Sequence, residues 1–122
     1  MNWREVYLRT TYVAGALRIR IGQPVALLEP WAFVSAWNPG SLQLPSEENA
    51  RRARALEEEV GRSWRFERGA GVPDDPQDWA AEESLLIHGI SRDEAVALGR
   101  RYGQNAIVAG AGGGPAELIF CA

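Results

Sequence analysis

The residues of this chain whose types and settings can do chemistry are Asn38, Ser41, Asn49, Arg52, Glu82, Ser84 and Gln104. Asn38, Asn49 and Gln104 each pair a donor with an acceptor, so they can read a ligand or satisfy buried backbone groups between loops. Arg52 can clamp a carboxylate or phosphate, or form an ion pair with Glu48 or Glu82. Glu82 can serve as a general base if it is desolvated. Other chemistries find no footing. His88 lies inside "LLIHGI" and reads as a strand residue. The chain has 1 histidine, and Cys121 is far off in sequence, so no metal site and no cofactor are expected. Ser84 lacks the flanking glycines of a nucleophile elbow, and "GISRD" does not match that motif either. The loop "GAGGGP" precedes a strand rather than a helix, so it reads as a hairpin connection and not as a phosphate cradle. Trp64, Phe66 and Arg68 beside Arg65 resemble a base-stacking strand face, yet no RNP-like motif accompanies them, and core packing is the better reading.

Composition narrows the classes further. A chain of 122 residues, 46% of them apolar, fits one domain over 1–122 with a real core. All 13 basic residues are arginine, which removes Schiff-base and Walker-lysine chemistry. A net charge of −3 weighs against nucleic acid as the main partner. The longest apolar run, Pro24 to Val34, is broken by Glu29 and Pro30, so no membrane span is expected. Trp3, Arg4 and Glu5 do not make the start of a signal peptide, and the lone Cys121 can form no internal disulfide. A cytoplasmic home is the plain expectation.

The elements that must position these residues follow from periodicity. Up to Leu8 the chain is ambiguous. "TTYV" and "ALRIRIG" read as a hairpin with its turn at Ala14-Gly15, Leu17, Ile19 and Ile21 alternating with Arg18 and Arg20. "QPVALLEP" is an irregular connector. "WAFVSAWN" is apolar on both faces apart from Ser35, as suits a central strand. Asn38-Pro39-Gly40-Ser41 ends it in a turn with positive φ at Gly40. Ser46 is expected to cap a helix with apolar stripe Ala53, Leu56 and Val60 and with pairs Glu47-Arg51, Glu48-Arg52 and Arg54-Glu58. "SWRFERGAG" is a half-exposed strand, "VPDDPQDWAAE" a surface loop and "ESLLIHGI" a buried strand. Ser91 to Glu94 is a capping box for a second helix that stops at Gly103. "NAIVAG" and "AELIFCA" are the last strands.

This order predicts an α+β fold: a two-layer sandwich of a mixed, mainly antiparallel sheet with two main helices. Its core is ferredoxin-like (βαββαβ) with extra strands at both ends and right-handed crossovers. If successive elements reverse direction, the junctions fall alternately at two ends of the sheet. One end then collects the Ala14-Gly15 turn, the Asn38-to-Ser46 corner, the Gly69-to-Glu82 loop and Gly103-Gln104-Asn105, and with them Trp37, Trp79 and all seven residues named above. A shallow polar cleft is expected there, helped by the amide end of the Ser46 helix.

Those stretches resemble the bacterial family called domain of unknown function 3293, over nearly the whole chain. The resemblance rests on Tyr7, Thr10 and Tyr12, on Phe33, Ala36, Trp37, Asn38, Pro39 and Ser41 in "FVSAWNPGS", and on Asn49 and Arg52. It continues through Trp79, Glu82 and Ser84 in "WAAEES" and Gly103, Gln104 and Ala106 in "RRYGQNAIV". Ser35 stands where the family more often has threonine. The resemblance implies a small bacterial stand-alone protein and supplies no activity, cofactor or catalytic residue.

Three readings follow. The first is a binding or interaction module whose polar end takes a small anionic or amide-bearing molecule or a protein segment. The second is a metal-independent hydrolase or transferase using Glu82 with Arg52 and Asn38. The third is a nucleic-acid-associated protein. Edge strands at "LRIRIG" or "AELIFC" allow either a monomer or a homodimer.

Overall fold

The structure, a computed structural model, describes residues 2–121. It opens with a short helix, α1 (Trp3–Leu8), in the stretch whose type the sequence left undecided. Then come β1 (Thr10–Ala14), β2 (Leu17–Ile19) and β3 (Trp31–Ser35), followed by a tight 3-10 turn at Pro39–Ser41. The remainder is α2 (Ser46–Gly61), β4 (Arg65–Pro73), β5 (Glu82–His88), α3 (Arg92–Arg101), β6 (Ala106–Gly110) and β7 (Glu117–Phe120). The fold is α+β. All seven strands join one sheet in the order β2-β1-β4-β5-β3-β6-β7, with every neighbouring pair antiparallel.

The sheet is not a flat layer. Beyond its edges, Ile21 bridges to Ala116 and Pro24 to Pro115, so the chain leaving β2 meets the chain entering β7 and the sheet curls. Strand alternation sorts side chains onto two faces. Ala32, Val34, Leu85, Ile87, Ile107 and Ala109 face α2 and α3, where Leu56, Val60, Ala95 and Leu98 complete a buried cluster. On the opposite, concave face Tyr12, Ala14, Trp31, Phe33, Leu86 and Val108 pack against one another with Val25 and Ala116. The absence of a polar face on β3, visible in the sequence, reflects this double burial. Each large side chain so buried contributes about 1.5–3 kcal/mol.

Two glycines of β4 permit the curl. A Cβ at Gly69 would lie 2.3 Å from the Val13 carbonyl oxygen and 2.8 Å from Phe33 Cζ. At Gly71 it would lie 3.2 Å from Tyr12 Cε1. The bare strand thus lets the Tyr12 and Phe33 rings lie across it, with centroids 5.5 Å apart. The sequence pattern carries this strand to Gly71, with the junction after it counted from Gly69. Instead β4 continues to Pro73, and the loop shrinks to residues 74–81.

Several expectations change in detail. The Ala14-Gly15 turn does not join the polar end: Thr10 pairs with Pro73 and Val13 with Ala70, so β1 begins at that end and runs away from it. The connector after Gly22 crosses from one end of the sheet to the other, reaching the β6–β7 turn where the Gly112 and Gly113 amides bond the Leu28 and Leu27 carbonyls, and this breaks the simple alternation. Pro45, not Ser46, occupies the α2 cap position, with no side-chain bond there. None of the three i,i+4 pairs forms among the described residues; Arg54 meets Glu57 and Glu83, and Glu58 pairs with Arg62. The Ser91–Glu94 capping box is present in full.

Gly69→Ala should cost about 3 kcal/mol, the upper range for overpacking, because the clash is with backbone. Urea unfolding midpoints check this, and a loss below about 1 kcal/mol would show that the curl does not depend on that close approach.

Candidate functional site

Strand β3 ends in a corner built almost wholly from its own side chains. Ser35 Oγ donates to the Glu83 carbonyl (2.8 Å) and accepts from the Trp37 amide (3.0 Å), which turns the chain out of the sheet. Asn38 then adopts a left-handed conformation (φ 47, ψ 62), which asparagine tolerates better than most residues. Its Oδ1 accepts from the Leu44 amide (2.9 Å) and from Asn49 Nδ2 (2.8 Å). Its own amide donates to Asn49 Oδ1 (2.9 Å), and its Nδ2 donates to Glu82 Oε2 (2.9 Å). One side chain therefore joins the corner, α2 and the start of β5.

The end of α3 locks into the same corner. Gly103, at φ 70, lets its own amide bond Arg100 and the Gln104 amide bond Gly99, the Schellman pattern of hydrogen bonds. A Cβ on Gly103 would meet Pro39 Cβ at 2.8 Å, and the Gly40 amide donates to the Gly103 carbonyl at 2.7 Å. Gln104 Nε2 reaches the Trp37 carbonyl (3.0 Å), and the Asn105 amide group donates to Ser41 Oγ. Arg52 ties the rear of the assembly, with Nε on the Ala36 carbonyl (2.7 Å) and Nη2 on that of Tyr102.

In front of this corner, at the mouth of the concave face, lies a cavity of about 80 Å³. That is room for several ordered waters or part of a small ligand. Its polar wall comprises Asn38, Ser41, Glu82, Ser84, Gln104 and Asn105, and its aromatic wall Trp3, Tyr7, Tyr12, Phe33 and Trp79. Trp3 meets Trp79 edge-on at 5.0 Å, and Tyr7 meets Phe120 at 6.2 Å, so α1 spans the opening from the β4–β5 loop to β7.

Glu82 is half-buried, and its Oε2 accepts from Asn38 Nδ2 and Trp79 Nε1. Burial raises its pKa, while those two donors oppose the shift without cancelling it. No arginine pairs with it among the described residues. Burial and the nearby Glu82 charge also raise Tyr7, against hydrogen bonding from Asn105 and Ser41. Tyr12 is pushed above the ordinary phenol range, chiefly by burial. Both phenols stay neutral at physiological pH.

A family model described as "Protein of unknown function (DUF3293)" matches residues 34–107. The chain belongs to this family. No curated protein and no solved structure matches it. The DUF3293 match covers the corner, α2, β4, β5 and α3, and is narrower than the near-complete resemblance read from the sequence, since Tyr7, Thr10, Tyr12 and Phe33 lie outside it.

Of the seven residues singled out in the sequence, Asn38, Ser41, Glu82, Ser84 and Gln104 line the cavity together. Asn49 and Arg52 do not. Asn49 is buried behind Asn38, and Arg52 is directed onto two carbonyls rather than onto Glu48 or Glu82. His88 sits on the same face near the far end of β5, bonded to Glu67 Oε2 at 2.7 Å. Sequence reasoning missed what α1 contributes, although a signal was present: Asn2 accepts from the Glu5 amide as an N-cap, and Trp3, Val6 and Tyr7 have the spacing of one helical face. Among the described residues no cluster of three His, Cys, Asp or Glu is placed to hold a metal ion, and no helix is long and apolar enough to cross a membrane.

The raised Glu82 carboxyl has a consequence for stability. The folded chain binds that proton more tightly than the unfolded chain, so the contribution is complete below the unfolded pKa and is lost as pH rises through the folded one. Glu82→Gln keeps the group neutral at every pH. It should melt a few degrees above wild type near pH 8 (about neutral-to-basic for any carboxyl), with the gap closing on acidification. A pH series of thermal melts checks this, and a Gln variant less stable at the basic end would reverse the sign of the burial effect.

Proposed function

We propose that this protein is a binding module whose cavity at the mouth of the curled sheet takes a small molecule. The observation that carries the reading is the composition of one wall. Six polar residues drawn from β3's corner, β5 and the end of α3 meet five aromatic rings around a preformed space, the usual make-up of small-ligand sites. A recessed cavity of about 80 Å³ suits a small molecule better than a protein segment. An anionic ligand is disfavoured, because Arg52 is engaged behind the wall and no other basic side chain lines the space among the described residues.

A second reading, a metal-independent acid–base enzyme, is favoured by one observation: a half-buried carboxyl with a raised pKa inside a cavity. In that reading Glu82 moves the proton and Asn38 orients it, while Arg52 only holds the scaffold. The nucleic-acid reading has least support, since Trp64 and Phe66 pack against the helix-side core and Arg68 is engaged by Glu57. A ferredoxin-like core also belongs to the proposal. The connectivity β3-α2-β4-β5-α3-β6 with strand order β4-β5-β3-β6 supports it, and β1, β2, β7 and the curl are additions to it.

A fragment screen by NMR on the isotope-labelled protein tests the binding reading. Hits should perturb the indole signals of Trp3 and Trp79 and the side-chain amides of Gln104 and Asn105. Ser84→Leu, which places a larger side chain in the cavity wall, should abolish them while the spectrum stays folded. Hits that persist in Ser84→Leu, or that map to the far end of the sheet, would contradict the assignment.

A further inference from the structure

Among the described residues Glu82 is the one partly buried acidic group that meets no arginine. Glu57 and Glu83 meet Arg54, Glu58 meets Arg62, Glu59 meets Arg101, Asp74 meets Arg20 and Glu117 meets Arg92. The contrast with Glu83 is the sharpest, because it is the next residue on the same strand and points to the opposite face. Glu82 has only the neutral donors of Asn38 and Trp79, both on Oε2, and no hydrogen bond reaches its Oε1 among the described residues. A carboxylate withdrawn from water without a counter-charge is costly, and it is relieved by any cation that can reach it.

The walls around it are suited to such a cation. No arginine lines the cavity, and the two phenols that do stay neutral, so Glu82 is the only charged side chain there among the described residues. Trp3, Tyr7, Tyr12, Phe33 and Trp79 supply aromatic surface, whose negative ring faces attract cations within about 6 Å. The hydroxyls and amides of Ser41, Ser84, Gln104 and Asn105 are placed for a polar substituent on the same molecule. Size is limited by the cavity.

We propose that the ligand of this site is a compact ammonium compound, its cationic nitrogen set against Glu82 and the aromatic wall. This rests on the small-molecule reading above and names the class of molecule that reading leaves open. The geometry selects charge first and shape second: a neutral isostere makes the same apolar contacts but leaves the carboxylate unpaired, and an anion is repelled.

Three probes of nearly equal shape separate the terms: choline, its neutral carbon isostere 3,3-dimethylbutan-1-ol, and 3,3-dimethylbutanoate. Titrated by NMR into the labelled full chain at mildly basic pH, choline should shift the Trp3 and Trp79 indole signals with a Kd about tenfold or more below that of the alcohol, a factor characteristic of one favourable cation contact. The carboxylate should not shift them. Choline keeps its charge at every pH, so loss of its advantage on acidification would report protonation of Glu82, and Glu82→Gln should remove the advantage at all pH values. Alcohol binding equal to choline, or tighter carboxylate binding, would overturn the cation assignment and leave the small-molecule site standing. No shift by any of the three at tens of millimolar would overturn both.

Discussion

The side chain of Asn38 is the interaction on which the rest depends. It sits in a left-handed backbone conformation that most residues adopt only with strain, and that conformation is held by four hydrogen bonds to Asn49, Leu44 and Glu82. Through them the end of the central strand, the first turns of α2 and the first residue of β5 share one fixed geometry. A neutral amide suits this position because it must donate to a carboxylate and accept from a backbone amide at once. Aspartate would set a second negative charge against Glu82, and a smaller residue would leave the Leu44 amide unsatisfied and remove one of the acceptors of Asn49.

The curl of the sheet is the complementary constraint. A flat antiparallel sheet with α2 and α3 on one face would expose Tyr12, Trp31 and Phe33 on the other. Glycines at positions 69 and 71 let the Phe33 and Tyr12 rings lie against β4, Gly110 of β6 makes room for Trp31, and the Ile21–Ala116 and Pro24–Pro115 bridges bring the two edges round. The cavity is the open mouth of that curl, closed on one side by the Asn38 corner and spanned by α1. Site and fold therefore share the same residues.

Much of this was legible in the sequence, and the parts that were not share a physical cause. The Ser91–Glu94 capping box, the double-sided burial of β3 and the meeting of the Asn-Pro-Gly corner with Gly103 and Gln104 follow from local chemistry and from strand alternation. The direction of Arg52 does not, because its spacing on α2 fits an outward pair with Glu48 as well as the inward pair of carbonyls it makes. Helix α1 was missed because six residues form a helix only when tertiary packing holds them, and the contacts that do so, Trp3 on Trp79 and Tyr7 on Phe120, are remote in sequence. The curl was hidden for a similar reason: Gly69 and Gly71 read only as the end of a half-exposed strand until the rings they accommodate are known. The seven candidate residues divide accordingly, five facing the cavity and two, Asn49 and Arg52, holding its rear.

At the centre of the account is a carboxylate withdrawn from water with no counter-charge. Its titration can be followed directly from the side-chain carboxyl carbon of Glu82 in labelled protein, with no ligand and no substitution. A midpoint above the ordinary glutamate range is the result expected. A midpoint within or below that range would mean that the carboxyl is solvated or paired, and the site would lose the charge on which its selectivity is argued.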